Sequence, residues 1–145
     1  MNITKKTLAV LLAVVLAAFL SACGGSKETT LSGADQDAVL AYSEAKTDNL
    51  MAGMNANDYA AFSRDFDQAM LSAMSQTAFG KFKTDYDSKL GAYLSRKVNR
   101  VTLSQSGKFV AVIYDAVFEK DKAVSMRVVF RADEPHQISG LWFNK

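Results

Sequence analysis

After Leu94 the hydrophobic period of the chain changes, and this switch limits the folds open to it. Before that point apolar side chains recur at three- and four-residue steps, as helices require; beyond it they alternate within runs rich in Val, Ile, Thr, Phe and Arg, as strands require. Helices followed by a run of short strands predict an α+β domain with three helices on one face of a four-stranded antiparallel sheet.

The first helix is expected from the Ser32 and Asp35 capping pair to about Gly53, with Val39, Tyr42, the stem of Lys46, Leu50 and Met54 along one stripe. A turn-and-cap cluster at 55–58 precedes Tyr59, Phe62, Phe66, Met70 and Met74, which read as a second helix. Phe79, Phe82, Tyr86, Leu90 and Tyr93 mark a third, with Gly91 as its stop.

Four strands follow at about 97–105, 108–119, 123–132 and 137–143, and their loop lengths set a register. The Ser106-Gly107 turn places Leu103 opposite Val110 and Val101 opposite Val112. A three-residue loop at 120–122 places Tyr114 opposite Val128 and Ala116 opposite Met126. The loop at 133–136 places Val128 opposite Leu141, Met126 opposite Phe143 and Phe130 opposite Ser139. All three loops put apolar residues on one common face, which becomes the expected core.

The opening of the chain is a different object. Met1–Lys6 is short and positive, 8–19 is unbroken apolar sequence, and small residues lead to Cys23, the pattern of a secretory signal at 1–22. The run falls short of the roughly 20 apolar residues a spanning helix needs. Leu20-Ser21-Ala22-Cys23 followed by Gly24 resembles the lipobox of bacterial lipoproteins. That resemblance implies a diacylglycerol on the Cys23 sulfur, cleavage just before Cys23 and an acylated new amino terminus, hence an extracytoplasmic protein held at the cell membrane. The alternative for these residues is an uncleaved anchor helix with an incidental Cys23. Residues 24–34, poor in large apolar groups, are expected to be a flexible tether, leaving 35–145 as one domain.

The chain has 17 Lys+Arg and 15 Asp+Glu, and two of the lysines lie in the leader, so the remaining chain is charge-neutral. A nucleic-acid partner, which calls for clustered cations, is not expected. A single cysteine excludes a disulfide framework.

Asn57-Asp58-Tyr59, the stretch 62–67, Leu90-Gly91, Tyr114 with Phe118-Glu119-Lys120, and Ile138-Ser139-Gly140-Leu141 resemble the domain-of-unknown-function family 3887, of the nuclear transport factor 2-like class. The resemblance implies a cone in which a curved sheet wraps helices around a pocket. It carries over a fold and no catalytic residues.

Chemistry is sparse. One His and one Cys, with no ligand pair at zinc-like spacing, predict no metal and no cofactor. Asp65 with Asp67, and Asp85 with Asp87, are two apart and do not share a helix face. The only His, His136, falls in a loop, and no Gly-x-Ser-x-Gly elbow occurs. The inward strand positions, Asn99 and Gln105 included, contain no carboxylate or histidine, and proton transfer needs a titratable group within reach of substrate. Tyr114, Met126, Tyr59 and Tyr86 are the candidate pocket residues. On the outer face the register sets Asp115 across from Arg127, with Arg100 diagonal and Trp142 on Arg127's other side, among Ile113, Val117, Val129 and Ile138: a candidate interface, for a homodimer among others.

The expectation is a lipid-anchored, non-catalytic module that binds a small apolar ligand or a protein. The alternatives are a cone-type isomerase or hydrolase with a helix-borne Asp beside Tyr114, and a structural protein acting through the outer sheet face.

Overall fold

The computed structural model describes residues 27–144, so Cys23 and the leader lie outside the described residues. It is an α+β domain in which helices pack on one face of an open antiparallel sheet. In chain order the elements are β1 (Glu28–Leu31), α1 (Ala34–Ala56), α2 (Tyr59–Ser63), α3 (Gln68–Ala73), α4 (Gln76–Lys89), β2 (Tyr93–Ser104), β3 (Phe109–Phe118), β4 (Val124–Arg131) and β5 (Ile138–Asn144). The five strands lie in sequence order.

The fifth strand corrects the expected tether. Within 24–34, Glu28–Leu31 pairs with β2, Leu31 opposite Val101 and Thr29 opposite Leu103. Two adjacent threonines favour an extended backbone, and the alternation sends Leu31 toward the core while Glu28 turns outward.

The helical layer also differs in detail. Gly33, without a side-chain cap, precedes α1, and Gly53 is not its stop; the helix runs on to Ala56 and closes at Asn57 in the left-handed conformation. Gly53 instead gives the second helix room, because a Cβ there would overlap the Phe62 backbone. The expected 59–74 helix is two short ones. Between them Asp65 and Asp67 exchange backbone hydrogen bonds with Ile138, and Phe66 bridges to β5 in parallel. Asp58, Asp67 and Ser75 each cap the next helix, accepting from the amides of Ala61, Met70 and Ala78.

The expected register holds at Leu103–Val110 and Val101–Val112, and then a bulge at Asn99 shifts the pairing so that Val98 faces Tyr114. Asn99, expected inside, lies outside and donates to the Asp115 carboxylate at 3.1 Å. Between β3 and β4 the ladder ends at the pair Ala116–Val124, leaving Val117 and Phe118 beyond it, so the register slips by two and Tyr114 pairs with Met126 rather than Val128. A two-residue shift keeps every side chain on its face but changes its neighbours. Between β4 and β5, Val128–Leu141 and Met126–Phe143 pair as expected, while Phe130 meets Ile138 because Ser139 bulges out of register. Ile138, expected on the outer face, is therefore in the core at 0% exposure.

The core lies between α1 and the inner sheet face: Leu50, Met51, Met54, Phe62, Val112, Phe118, Val128 and Phe130 are all buried. Covering several such side chains, at about 1.5–3 kcal/mol each, is what holds the layers together.

Candidate functional site

Two regions between the helices and the sheet carry chemistry, and they are built on opposite principles. The first is a polar cluster under α1, with a buried centre and two acids at its solvent edge. The buried stripe of α1 runs Val39, Ser43, Thr47, Leu50, Met51 and Met54, so two hydroxyls sit where the apolar stripe was expected. Tyr114, fully buried on β3, donates to Glu44 at 2.7 Å and shares a 3.3 Å hydrogen bond with Thr47. The bulge at Asn99 reverses the expected facing of β2 before it, which brings Arg96 inward and over the Tyr114 ring, 5.1 Å from its centroid.

Arg96 donates to Asp48 at 2.6 Å, to Glu44 Oε2 at 3.0 Å and to the Tyr93 hydroxyl at 3.2 Å. Burial works against its charge, but the bonds to Asp48 and Tyr93 and the field of Glu44 outweigh it, and its pKa lies above the ordinary value. Burial also drives the Tyr114 pKa above the ordinary tyrosine range. Ser43 Oγ and Arg96 Nε are buried without a protein partner. The helix-borne acid beside Tyr114 is thus Glu44, not Asp65 or Asp67. Asp65 lies near Lys46 and Asn49, and Asp67 caps α3 while accepting from Ser139.

The second region is an open groove of about 420 Å³ between α4 and the outer part of β5, within the size range of small-molecule sites. Its helical wall is Phe82, Tyr86 and Leu90; its sheet wall is Val124, Leu141 and Phe143, with Trp142 at the lip. The rings form a connected set: Phe82 lies 6.4 Å from Phe143, and Tyr86 meets Phe143 edge-on at 5.1 Å. Asp85 and Lys89 line the same groove and pair with each other at 2.8 Å, leaving its rim electrically neutral. The Tyr86 hydroxyl is buried without a partner, and burial raises its pKa above the ordinary tyrosine range.

Of the four candidate pocket tyrosines and methionines, only Tyr86 lines this groove. Tyr114 and Met126 face each other in the core at 0% exposure. Tyr59 bonds the Met74 carbonyl at 2.9 Å and packs on Phe79. His136 stacks on Tyr42, with the ring centroids 3.9 Å apart.

On the outer face the expected neighbours change with the register. Asp115 lies opposite Ser125, and Arg127 lies between Ile113 and Trp142, so only the Trp142 neighbour is the expected one. Arg127 forms its ion pair with Glu28 of β1, which also accepts from Thr102 at 2.9 Å. Arg100 stays exposed, and Trp142, half exposed, lies across Gly140, where any Cβ would overlap the indole.

Sequence reasoning missed Arg96, Glu44, Ser43, Thr47 and Phe82's wall of the groove. The usable signals were Glu44 and Asp48 one helical turn apart, and two small hydroxyls in step with Val39 and Met51. Among the described residues no three His, Cys, Asp or Glu side chains converge as a metal site, and no helix is long and apolar enough to cross a membrane.

These features define a small α+β domain with a largely hydrogen-bonded polar cluster on one side and an unfilled apolar groove on the other. The chain belongs to the family described as Protein of unknown function (DUF3887), whose model matches residues 47–141. No curated protein and no solved structure matches it.

Proposed function

We propose that this chain is a lipid-anchored, extracytoplasmic binding module of the nuclear transport factor 2-like class, and that the α4–β5 groove takes a small, uncharged, apolar ligand. The observation that carries the reading is the groove itself: about 420 Å³ of open space walled by aromatic and aliphatic side chains, whose two charged residues neutralise each other. At roughly 30 Å³ per water-sized volume it has room for a ligand of about a dozen heavy atoms or more. With no unpaired charge on the rim, an ionic ligand gains no counter-charge for the water it gives up. The lipobox-like run ending at Cys23 supports the anchor.

Tyr114 with Glu44 favours a second reading, the isomerase or hydrolase, but the hydroxyl is sealed from solvent and already bonded, which leaves a substrate no approach. The groove is tested by titration with N-phenyl-1-naphthylamine, a neutral fluorescent probe. Binding is expected, and Leu141→Trp, which fills the space, is expected to weaken it about tenfold, equal to roughly 1.4 kcal/mol, with the circular dichroism spectrum unchanged. No binding, or equal binding by the variant, refutes the groove. Mass measurement of Cys23 in the membrane-extracted protein tests the anchor.

A further inference from the structure

The pairing of β1 shortens the link between the anchor and the domain, and that length decides which surface meets the lipid. Cys23 and Glu28 are five residues apart, a reach of at most about 17 Å. A ten-residue strand such as β3 is about 33 Å long, so the link holds the β1 edge of the sheet within about half a strand length of the anchor. The link enters at the β1 edge of the sheet, and the Glu28 side chain lies on the outer face, bonded to Arg127 and Thr102.

That outer face carries the marks of a lipid-facing surface. Trp142 is 50% exposed and Phe109 36% exposed, and both lie on it by strand alternation. Such rings favour the boundary between headgroups and acyl chains. Arg127 and Arg131 are paired with Glu28 and Asp133, while Lys97 and Arg100 are exposed and Lys108 adjoins Phe109. Asp115 is the remaining acid of the face, held by Asn99. The opposite layer has the other sign: α1 carries Asp35, Asp37, Glu44 and Asp48 against Lys46.

Resting on the anchoring reading, we propose that the outer sheet face lies on the anionic lipid surface that holds Cys23, with Trp142 and Phe109 at headgroup level. The excess of cations draws this face to anionic lipid and sets it against a second copy of itself. The acidic α1 layer then points away from the membrane.

The chain has one cysteine and one tryptophan, which makes the test direct. Residues 23–145, which hold every described element of the fold, are coupled through Cys23 to a maleimide lipid in phosphatidylcholine–phosphatidylglycerol vesicles containing a shallow nitroxide-labelled lipid. Trp142 emission is expected to be largely quenched. A Trp142→Phe, Lys81→Trp variant, with its indole at an exposed position of α4, is expected to keep its emission, and Lys97→Glu with Arg100→Glu to reduce the quenching of Trp142. Unquenched Trp142 on vesicle-bound protein, or equal quenching from position 81, overturns the proposal, as does a dimer that buries Trp142 away from the nitroxide. Because the coupling is chemical, an unmodified Cys23 in the native protein refutes the anchor separately from the face.

Discussion

The cluster under α1 and the groove beside α4 are both spaces between a helix and the same sheet, yet one is closed by polar groups and the other left open by apolar ones. Around Tyr114, the phenol and most of the Arg96 guanidinium meet partners, and the ring is covered by a cation. Around Tyr86, the hydroxyl meets nothing and the neighbouring rings stop short of filling the volume. A satisfied polar network fixes one arrangement of helix and sheet; an unfilled apolar wall leaves surface for something else to cover. On the proposed reading, the first region does structural work and the second binds.

Breaking the closed side is expected to have the largest effect. Arg96→Met keeps the aliphatic stem but removes the cation over Tyr114 and the bonds to Glu44 and Asp48. Both acids are more than a third exposed, so solvent screens much of their share, and a loss of about 2 kcal/mol in urea unfolding is expected.

The two tyrosines sharpen the comparison. Tyr114→Phe removes a hydroxyl with two partners and is expected to cost about 1–2 kcal/mol; Tyr86→Phe removes an unpartnered one and is expected to be neutral or stabilising by up to about 1 kcal/mol. Equal costs in thermal unfolding would erase the distinction between the regions.

Acid separates the sheet edge from both. The hydrogen bond from Arg127 holds the Glu28 pKa below its ordinary value, 4.5, against the opposing effect of burial. A depressed carboxylate pKa contributes stability that is present above the unfolded value and lost as pH falls through the folded one. Protection of the Thr30 amide, taken relative to its intrinsic exchange rate at each pH, is therefore expected to fall below about pH 4.5, and Glu28→Gln to abolish that pH dependence. The smallest effect belongs to the groove rim. Lys89→Ala breaks an exposed helical pair and is expected to cost about 0.3 kcal/mol, while unmasking Asp85 and raising affinity for cationic over neutral naphthyl probes.

Much of the architecture was legible because the periods are local. Alternation along 109–118 and 124–131 places Val112, Tyr114, Val128 and Phe130 on one face whatever the register, since a two-residue slip does not change the side. What was hidden depends on bulges and on distant partners. The extra residue at Asn99 turns Arg96 inward, and the bulge at Ser139 carries Ile138 into the core. β1 was hidden because a four-residue strand beside Gly and Ser resembles a linker until its partner strand is known. Of the candidate site, Tyr86 was visible as a helical aromatic, but the groove arises from where α4 stops relative to β5, which no spacing along the chain encodes.

The central claim is that ligand enters beside α4 and not beneath α1. The direct measurement is a two-dimensional NMR titration of the domain with N-phenyl-1-naphthylamine. Shifts are expected at Phe82, Tyr86, Leu141 and Phe143, with Glu44, Thr47, Arg96 and Tyr114 unmoved. Shifts confined to those four residues under α1, or none in either region, would contradict it.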